Sequence, residues 1–133
     1  MKQKPGCVVC QYLSSPHLID GFKYDLRVYV VVTCFDPLKI FMLKEGLVRF
    51  ATQKYSNNPK HIDKTFVHLT NYSVNKRATD YVKADVGQQD DDNACKWNFM
   101  QLAKWMEANG IDYSHVFSRI KDVVIKTLIA HEP

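Results

Sequence analysis

Hydrophobic and polar positions alternate along residues 22–30 of the chain. The even-numbered positions are all apolar or aromatic, and the odd-numbered positions carry Lys23, Asp25, Arg27 and Tyr29. Because successive side chains of a strand point to opposite faces, this alternation predicts a strand with one apolar and one polar face. Two residues of a strand span roughly 7 Å, so the polar face presents a cation, an anion and a second cation in a row. Such a row suits a ligand that carries phosphate groups.

Short apolar runs bounded by turn residues predict most of the other strands. The predicted strands lie near residues 7–13, 24–35, 38–43 and 47–51. The turns at 36–37 and 44–46 are short, so the central strands are expected to form an antiparallel meander. The run of valines at 30–32 predicts burial of its strand on both faces.

Helical periodicity appears in the last third of the chain. A first helix is predicted near residues 96–109, with a stop at Asn109-Gly110. Its apolar face consists of Phe99, Leu102, Ala103 and Met106. A second helix is predicted to begin at a Ser114 cap. Its buried face is expected to consist of Tyr113, Phe117, Ile120, Val124 and Leu128. The predicted fold class is α+β, a mostly antiparallel sheet followed by two C-terminal helices.

The composition allows one modest globular core. The chain has 133 residues, of which 46% are hydrophobic and 12% aromatic. Polar stretches at 55–63 and 81–93 are predicted loops, and the acidic run at 90–93 is expected to be solvated. The sequence has no run near the roughly 20 apolar residues of a membrane helix. It shows no apolar signal region behind residues 1–6, so we expect an intracellular protein without a membrane partner.

The net charge of +4 is unevenly distributed. Residues 1–89 carry thirteen lysines and arginines against seven acids, whereas residues 90–133 carry five against seven. A basic surface of this kind attracts nucleic acid or another acidic polymer, and charge alone does not choose between them. We find no recognition helix or exposed aromatic platform in the pattern, so nucleic acid is not the expected partner.

The four cysteines are expected to be reduced thiols. Cys7 and Cys10 have the spacing of half a zinc site, but Cys34 and Cys95 are single and far apart in the sequence. An intracellular chain keeps such thiols reduced. We therefore predict no metal site within this sequence.

A second polar cluster occupies residues 68–76, in a region that otherwise has the pattern of a core. It reads His-Leu-Thr-Asn-Tyr-Ser-Val-Asn-Lys. A solvated surface with weak ion pairs would explain one such cluster. Two clusters in one small chain favour a binding site.

Three motifs together carry a family resemblance. The segments Tyr12–Arg27, Glu45–Ala51 and His68–Lys76, in this order and at this spacing, resemble the tubulin tyrosine ligase-like family in its glutamate-adding branch. The resemblance covers nearly the whole chain. It implies a partial ATP-grasp fold and a ligase that adds glutamate to glutamate side chains of tubulin tails. In that reaction ATP phosphorylates the acceptor carboxylate, and the amine of the incoming amino acid displaces the phosphate.

The resemblance also implies nucleotide contacts. Residues 10–13 match a hinge strand along adenine, formed by Cys10, Gln11, Tyr12 and Leu13. Lys23 matches a phosphate contact, and Asp25 a contact to ribose or to a partner cation. Thr70 and Asn71 match contacts near the γ-phosphate. Arg27 matches the catalytic position at the transferring phosphoryl group, where an arginine stabilises charge in the transition state.

Contacts to the incoming amino acid are implied for a second set of residues. These are Arg49, Tyr72, Ser73 and Lys76. At Arg49 the guanidinium geometry suits a carboxylate. For His68 three roles stay open, in order of preference a polar core residue, a phosphate contact and a proton carrier.

The implied cofactors are ATP and Mg²⁺, and the implied partners are free L-glutamate and the acidic tails of tubulin in microtubules. The implied location is cytoplasmic and cytoskeletal, with the cilium basal body or axoneme as a narrower expectation. The family also uses an upstream glycine-rich lysine loop and downstream Mg²⁺ ligands that this sequence does not contain. We therefore expect residues 1–133 to be the central part of a catalytic domain, truncated at both ends and inactive alone.

Two kinds of alternative remain open from the residues. One is a glycine-adding or tyrosine-adding ligase of the same family, because the amino-acid pocket differs by few contacts. The other is an inactive module that only binds nucleotide or tubulin tails.

Overall fold

The computed structural model describes residues 6–79 and 95–131. The predicted loop at 81–93, with its acidic run, lies outside the described residues. The six strands are β1 (Leu18–Ile19), β2 (Phe22–Arg27), β3 (Val30–Phe35), β4 (Leu38–Met42), β5 (Leu47–Phe50) and β6 (Lys96–Asn98). The helices are α1 (Thr65–His68), α2 (Tyr72–Asn75), α3 (Phe99–Ala108) and α4 (Tyr113–Ile129), with a 3₁₀ turn at Pro59–His61.

Four strands form one antiparallel sheet in the order β1-β2-β5-β6. Strands β3 and β4 pair with each other as a separate two-stranded hairpin. The α+β class and the antiparallel pairing are therefore confirmed. The predicted meander is wrong, because β2 pairs with β5 and the β3–β4 hairpin lies between them in sequence but outside their sheet.

A tight turn at Asp20-Gly21 sets the start of the sheet. Both residues have positive φ, 50° and 85°, and Ile19 pairs with Phe22 across them. Two positive φ values in a two-residue hairpin loop match the twist of the flanking strands, and Asp-Gly suits that conformation. The turn thereby brings β1 against the beginning of β2.

One face of the sheet, together with α3 and α4, encloses the core. Its buried side chains from strands are Ile19, Val48, Phe50 and Trp97. Those from α3 are Phe99, Leu102 and Met106. The even-numbered residues of β2 pack against this cluster, as the alternation predicted. The odd-numbered residues of β2 are therefore on the opposite face.

Three expectations about the strands are wrong. Residues 7–13 form no strand and are exposed, with no described strand pairing to them. The predicted strand 24–35 is broken at Val28 and Tyr29. The prediction that residues 30–32 are buried on both faces is wrong, because Val31 is 49% exposed. It lies on an isolated hairpin, where only the alternate residues are covered.

The helices differ from their predictions mainly at their starts. Helix α3 begins at Phe99 because Asn98 accepts a hydrogen bond from the Gln101 backbone N–H, while the Gln101 side chain accepts one from the Asn98 N–H. The preceding residues form β6 instead. Its predicted end is confirmed, since Gly110 has a φ of 71°.

Helix α4 is capped by Asp112 rather than Ser114. The Asp112 carboxylate accepts hydrogen bonds from the His115 N–H and the Ser114 hydroxyl. These bonds hold the pKa of Asp112 below its ordinary value. The apolar face of α4 is as predicted but only half-buried. An apolar groove of about 490 Å³ lies between this helix and Val28.

No helix in the described ranges is long and apolar enough to cross a membrane.

Gly46 immediately precedes strand β5, at a point where the chain lies close to both β2 and helix α3. It is buried, and an added Cβ would overlap the Arg27 carbonyl oxygen and the Phe99 ring. We expect Gly46→Ala to lower the free energy of unfolding by about 1–3 kcal/mol through overpacking. Urea unfolding followed by Trp fluorescence measures the change.

The matched control for this variant is Lys44→Ala, at an exposed position on the same turn. It should leave the unfolding midpoint nearly unchanged. Equal stability of Gly46→Ala and the parent chain would contradict the close packing at Gly46.

Candidate functional site

The polar face of the sheet places Asp25 between two arginines. Asp25 lies directly opposite Arg49 in the β2–β5 register. Its Oδ1 accepts a hydrogen bond from Arg49 Nε at 3.0 Å, and its Oδ2 accepts one from Arg49 Nη2 at 2.6 Å. Arg27 Nη2 lies 3.0 Å from the same Oδ2. One carboxylate thus holds two guanidinium groups near each other.

The two arginines differ in exposure. The Arg49 side chain is 16% exposed, whereas that of Arg27 is 45% exposed. Arg49 is held by two hydrogen bonds from a half-buried position, so its orientation is the better defined. Arg27 makes one ion pair, and nearly half of its side-chain surface is open to solvent.

Lys96 extends this row onto a third strand. It lies opposite Arg49 in the β5–β6 register, while the adjacent pair Val48 and Trp97 is buried. Since paired residues of antiparallel strands share a face, Lys96 is on the polar face. Its Nζ lies 4.6 Å from the centroid of the Tyr72 ring.

Lys23 connects the beginning of the polar row to two other segments. Its Nζ donates a 3.0 Å hydrogen bond to the His68 carbonyl oxygen. The same ammonium lies 5.0 Å from the centroid of the Tyr12 ring. Lys23 therefore brings residues 10–13 and the second polar cluster together at one end of β2.

The His68 ring is enclosed by hydrogen bonds and aromatic rings. Its Nε2 donates to the His61 carbonyl oxygen at 3.0 Å, and its Nδ1 lies 2.9 Å from the Tyr12 hydroxyl. The rings of Tyr12 and Tyr55 approach it edge-on at 5.8 and 5.6 Å. Both ring nitrogens are engaged, which favours the first of the three roles, a polar structural residue.

The rest of the second polar cluster forms a turn and the short helix α2. Thr70 is buried, and the exposed Asn71 precedes α2 and accepts hydrogen bonds from the Val74 and Asn75 N–H groups. Tyr72 and Ser73 are exposed in the first turn of α2. Lys76 Nζ lies 5.7 Å from the Tyr72 ring centroid. Tyr72, Lys76 and Lys96 thus form one cluster.

The predicted adenine segment has no regular secondary structure and is exposed. Cys10, Gln11, Tyr12 and Leu13 are all exposed, with Leu13 at 76%. Its exposed backbone and apolar side chains can offer hydrogen bonds and a packing surface to a planar ring. Tyr12 anchors the segment through its contacts with His68 and Lys23.

Sequence reasoning missed three residues of this site. Tyr55 ties the exposed segment down, because its hydroxyl donates a 2.8 Å hydrogen bond to the Ser14 carbonyl and its N–H donates to Gly21. The buried Asn75 ties α2 to β5 through a 3.0 Å bond to the Phe50 carbonyl. Lys96 was attributed to a helix. The strand signal at Lys96 was hidden by the helical pattern that follows it.

The donor set of the polar face suits a polyanionic nucleotide. Strands β1, β2, β5 and β6 carry a single acid, Asp25, against four cations on this face. These cations are Lys23, Arg27, Arg49 and Lys96. Within the described ranges no three His, Cys, Asp or Glu side chains come together as a metal site. The described residues therefore fit ATP but supply no set of ligands for Mg²⁺.

The whole sequence matches one protein family. The model of the tubulin-tyrosine ligase family covers residues 1–133. The chain belongs to the tubulin-tyrosine ligase family. This membership agrees with the resemblance carried by the three motifs.

Similar members of the tubulin-tyrosine ligase family are glutamylases by name. Tubulin monoglutamylase TTLL4 of Mus musculus is 46% identical over 135 residues, 99% of this chain. Tubulin polyglutamylase TTLL5 of Homo sapiens is 42% identical over 94% of the chain, and tubulin polyglutamylase TTLL6 of Mus musculus is 45% identical over 98%. The chain spans 11%, 10% and 16% of the lengths of these three relatives.

We expect the two arginines to couple unequally to Asp25. In double-mutant cycles with Asp25→Asn, the coupling to Arg49→Gln should be about 1–2 kcal/mol, because two hydrogen bonds join a half-buried pair. The coupling to Arg27→Gln should be smaller, since Arg27 is more exposed. Urea unfolding of the single and double variants measures both.

The control cycle uses the exposed Asp122–Lys126 pair on α4, whose side chains are 50% and 73% exposed. Its coupling should be about 0–0.5 kcal/mol. A coupling to Arg27 as large as that to Arg49 would contradict the geometry described for Asp25.

Tyr55→Phe should loosen residues 10–15. The variant keeps the ring against His68 but removes the hydroxyl that donates to Ser14. The hydrogen bond with Tyr12 raises the pKa of Tyr55 above its ordinary value, and burial adds a smaller effect in the same direction. Faster amide exchange at residues 10–15, measured by NMR, is the expected result. Tyr29→Phe, at an exposed position outside this cluster, should leave that exchange rate unchanged.

Proposed function

We propose that this chain forms part of the active site of an ATP-dependent ligase that joins glutamate to glutamate side chains of tubulin tails. The observation that carries the proposal is the Arg27–Asp25–Arg49 cluster beside Lys23 and Lys96. Every substrate of such a reaction is an anion, and the cluster offers several cations with one internal carboxylate. Family membership and the names of the similar relatives support the same activity.

The nucleotide would lie along residues 10–13 and Lys23. The exposed segment Cys10, Gln11, Tyr12 and Leu13 would offer its backbone groups to the adenine edge, and Leu13 would pack on the ring. Lys23 lies between this segment and His68, two residues before Thr70, so it suits a phosphate contact. Both Asp25 oxygens are engaged by arginine, which favours its role as a partner of cations over a ribose contact.

Arg27 is the proposed catalytic residue. ATP, when bound, supplies the phosphoryl group that activates the acceptor carboxylate. Arg27 neutralises the charge that accumulates on that group, and Asp25 keeps its guanidinium in place. Its exposed nitrogens remain available for this purpose.

Arg49, Tyr72, Ser73 and Lys76 form the proposed site of the incoming glutamate. Arg49 uses Nε and Nη2 for Asp25, which leaves Nη1 without a partner among residues 6–79 and 95–131. That nitrogen can donate to the α-carboxylate. Tyr72 lies beside Lys96, which pairs with Arg49, and Ser73 is exposed next to Tyr72 in the first turn of α2. Lys76 adds positive charge beside the Tyr72 ring.

We infer that residues 1–133 are the central part of an ATP-grasp catalytic domain. The basic charge of residues 1–89 suits the acidic tails of tubulin in microtubules. That partner supports a cytoskeletal location, and we propose the cilium basal body or axoneme as the narrower site. Mg²⁺ would neutralise phosphate charge in this reaction, with ligands from outside the described residues.

A chimera tests the proposal. In Mus musculus TTLL4, the matched segment is replaced by residues 1–133, and ATP-dependent incorporation of labelled glutamate into microtubules is measured. We expect the chimera to be active. Arg27→Ala should lower its rate by about 10³-fold, because the charge on the transferring phosphoryl group then lacks its arginine.

The matched control is Arg119→Ala, an exposed arginine on α4. It should retain the activity of the chimera. A chimera that folds but incorporates no glutamate would refute the proposed activity of this segment. Full activity of the Arg27→Ala chimera would refute the catalytic role of Arg27 but not the proposed ligase activity.

A further inference from the structure

The β3–β4 hairpin presents an apolar face to solvent. Val31 lies opposite Phe41 in its register, and the Leu43 N–H donates a 2.9 Å hydrogen bond to the Tyr29 carbonyl oxygen. Paired residues share a face of a hairpin, so these four side chains form one surface, the outer hairpin face. Each of them is between 45% and 59% exposed, whereas the residues that alternate with them are half-buried.

The exposure of this face indicates that a partner covers it. Within the described ranges the two strands pair only with each other, and a two-stranded hairpin without further partners is marginally stable in water. Large apolar side chains that are grouped on an exposed surface mark interaction sites. An occupant of the outer hairpin face would bury four apolar side chains at once.

The outer hairpin face continues the polar face of the sheet at Arg27. Arg27 is the last residue of β2, and the following residue, Val28, packs against the core cluster. Because side chains alternate along an extended chain, Arg27 and Tyr29 both lie on the side away from the core, and both are exposed. A peptide that lies along the outer hairpin face therefore leads to the Arg27 guanidinium.

The charges around this face favour an acidic occupant. Among the described residues of β3 and β4, Lys39 shares the face with Phe41 and is exposed, and no acid belongs to it. The nearest acids in sequence, Asp36 and Glu45, lie in turns outside both strands. Arg27 supplies a second cation at the other end of the face. In a dimer formed through this face, each copy would contribute the same cations without an acid to pair with them.

We infer that the outer hairpin face binds the acceptor peptide, an extended acidic chain with an apolar or aromatic side chain close to the glutamate that is modified. The inference rests on the proposed function, because it takes Arg27 as the residue at the transferring phosphoryl group. The acceptor glutamate lies at Arg27, a nearby apolar side chain contacts the outer hairpin face, and a further carboxylate pairs with Lys39. The hairpin thereby selects which glutamate of a tail reaches Arg27.

A binding experiment on the chain itself tests this inference without any turnover. The probe is a fluorescein-labelled heptapeptide, Glu-Ser-Val-Ser-Phe-Ser-Glu, whose glutamates and apolar residues share one side of an extended chain. Its length of roughly 20 Å is close to that of the six-residue β3. Fluorescence anisotropy is measured at constant ionic strength, and NMR shifts of the ¹⁵N-labelled chain locate the contact. We expect saturable binding with shifts at Val31, Lys39 and Phe41.

Variants of the hairpin separate apolar contact from charge. Phe41→Ser should weaken binding by about tenfold, because the largest apolar side chain of the face is lost. Lys39→Gln should weaken it by about threefold, as expected for an exposed ion pair. Phe41→Leu keeps an apolar contact and should retain most of the affinity, and it decides the question if Phe41→Ser does not fold. The matched control is Val123→Ser, at a 61% exposed apolar position on α4, which should bind like the parent chain.

A second probe tests the sign of the charge. It carries lysine in place of both glutamates and should bind at least about tenfold more weakly, because it meets Arg27 and Lys39 with like charges. Equal affinity for the two probes, or no binding of the acidic probe, would overturn the inference. Unchanged affinity in Phe41→Ser would overturn it as well. Shifts at Val31 and Phe41 that depend on protein concentration without any peptide would assign the face to a second copy of the chain instead.

These outcomes are independent of the chimera, because they require no ATP and no incorporation. An inactive chimera together with binding of the acidic probe at the outer hairpin face would refute the ligase activity and retain the peptide surface. An active chimera with no binding at the hairpin would refute the inference and retain the ligase activity.

Discussion

The pairing register between β2 and β5 is the constraint on which the site depends. It places Leu26 and Val48 in the core and, one residue away, Asp25 against Arg49 on the other face. A slip by one residue would move the apolar set to solvent and the charges into the core. Burial of the apolar face thereby orients the charged face. The position of Arg49 is a consequence of core packing as much as of its ion pair.

Local patterns in the sequence were sufficient to predict which face of β2 packs against the core. The alternation along residues 22–30 predicted which side chains of β2 face the core, and the structure confirms this over Phe22–Arg27, where the strand ends. The end of α3 at Gly110 was equally predictable, because glycine adopts the left-handed conformation that stops a helix. Such features depend only on neighbouring residues.

Features set by distant partners were not predictable in this way. Residues 7–13 have a strand composition, but the described structure provides no strand to pair with them. The hairpin at β3 and β4 has short turns typical of a meander, yet β2 pairs with β5 beyond it. The Asp20-Gly21 turn was visible as a hairpin signal and was overlooked. The roles of the site residues came from the resemblance, and the contacts of Asp25 with both arginines became apparent only in three dimensions.

The shared carboxylate of Asp25 links two neighbouring guanidinium groups thermodynamically. An anion that competes with Asp25 for Arg49 would weaken that ion pair and strengthen the pairing of Asp25 with Arg27, which would then attract a second anion less. Linkage makes this effect reciprocal, so each anion changes the affinity for the other by the same factor. Two ligands on this surface would therefore display negative cooperativity that originates in a single side chain.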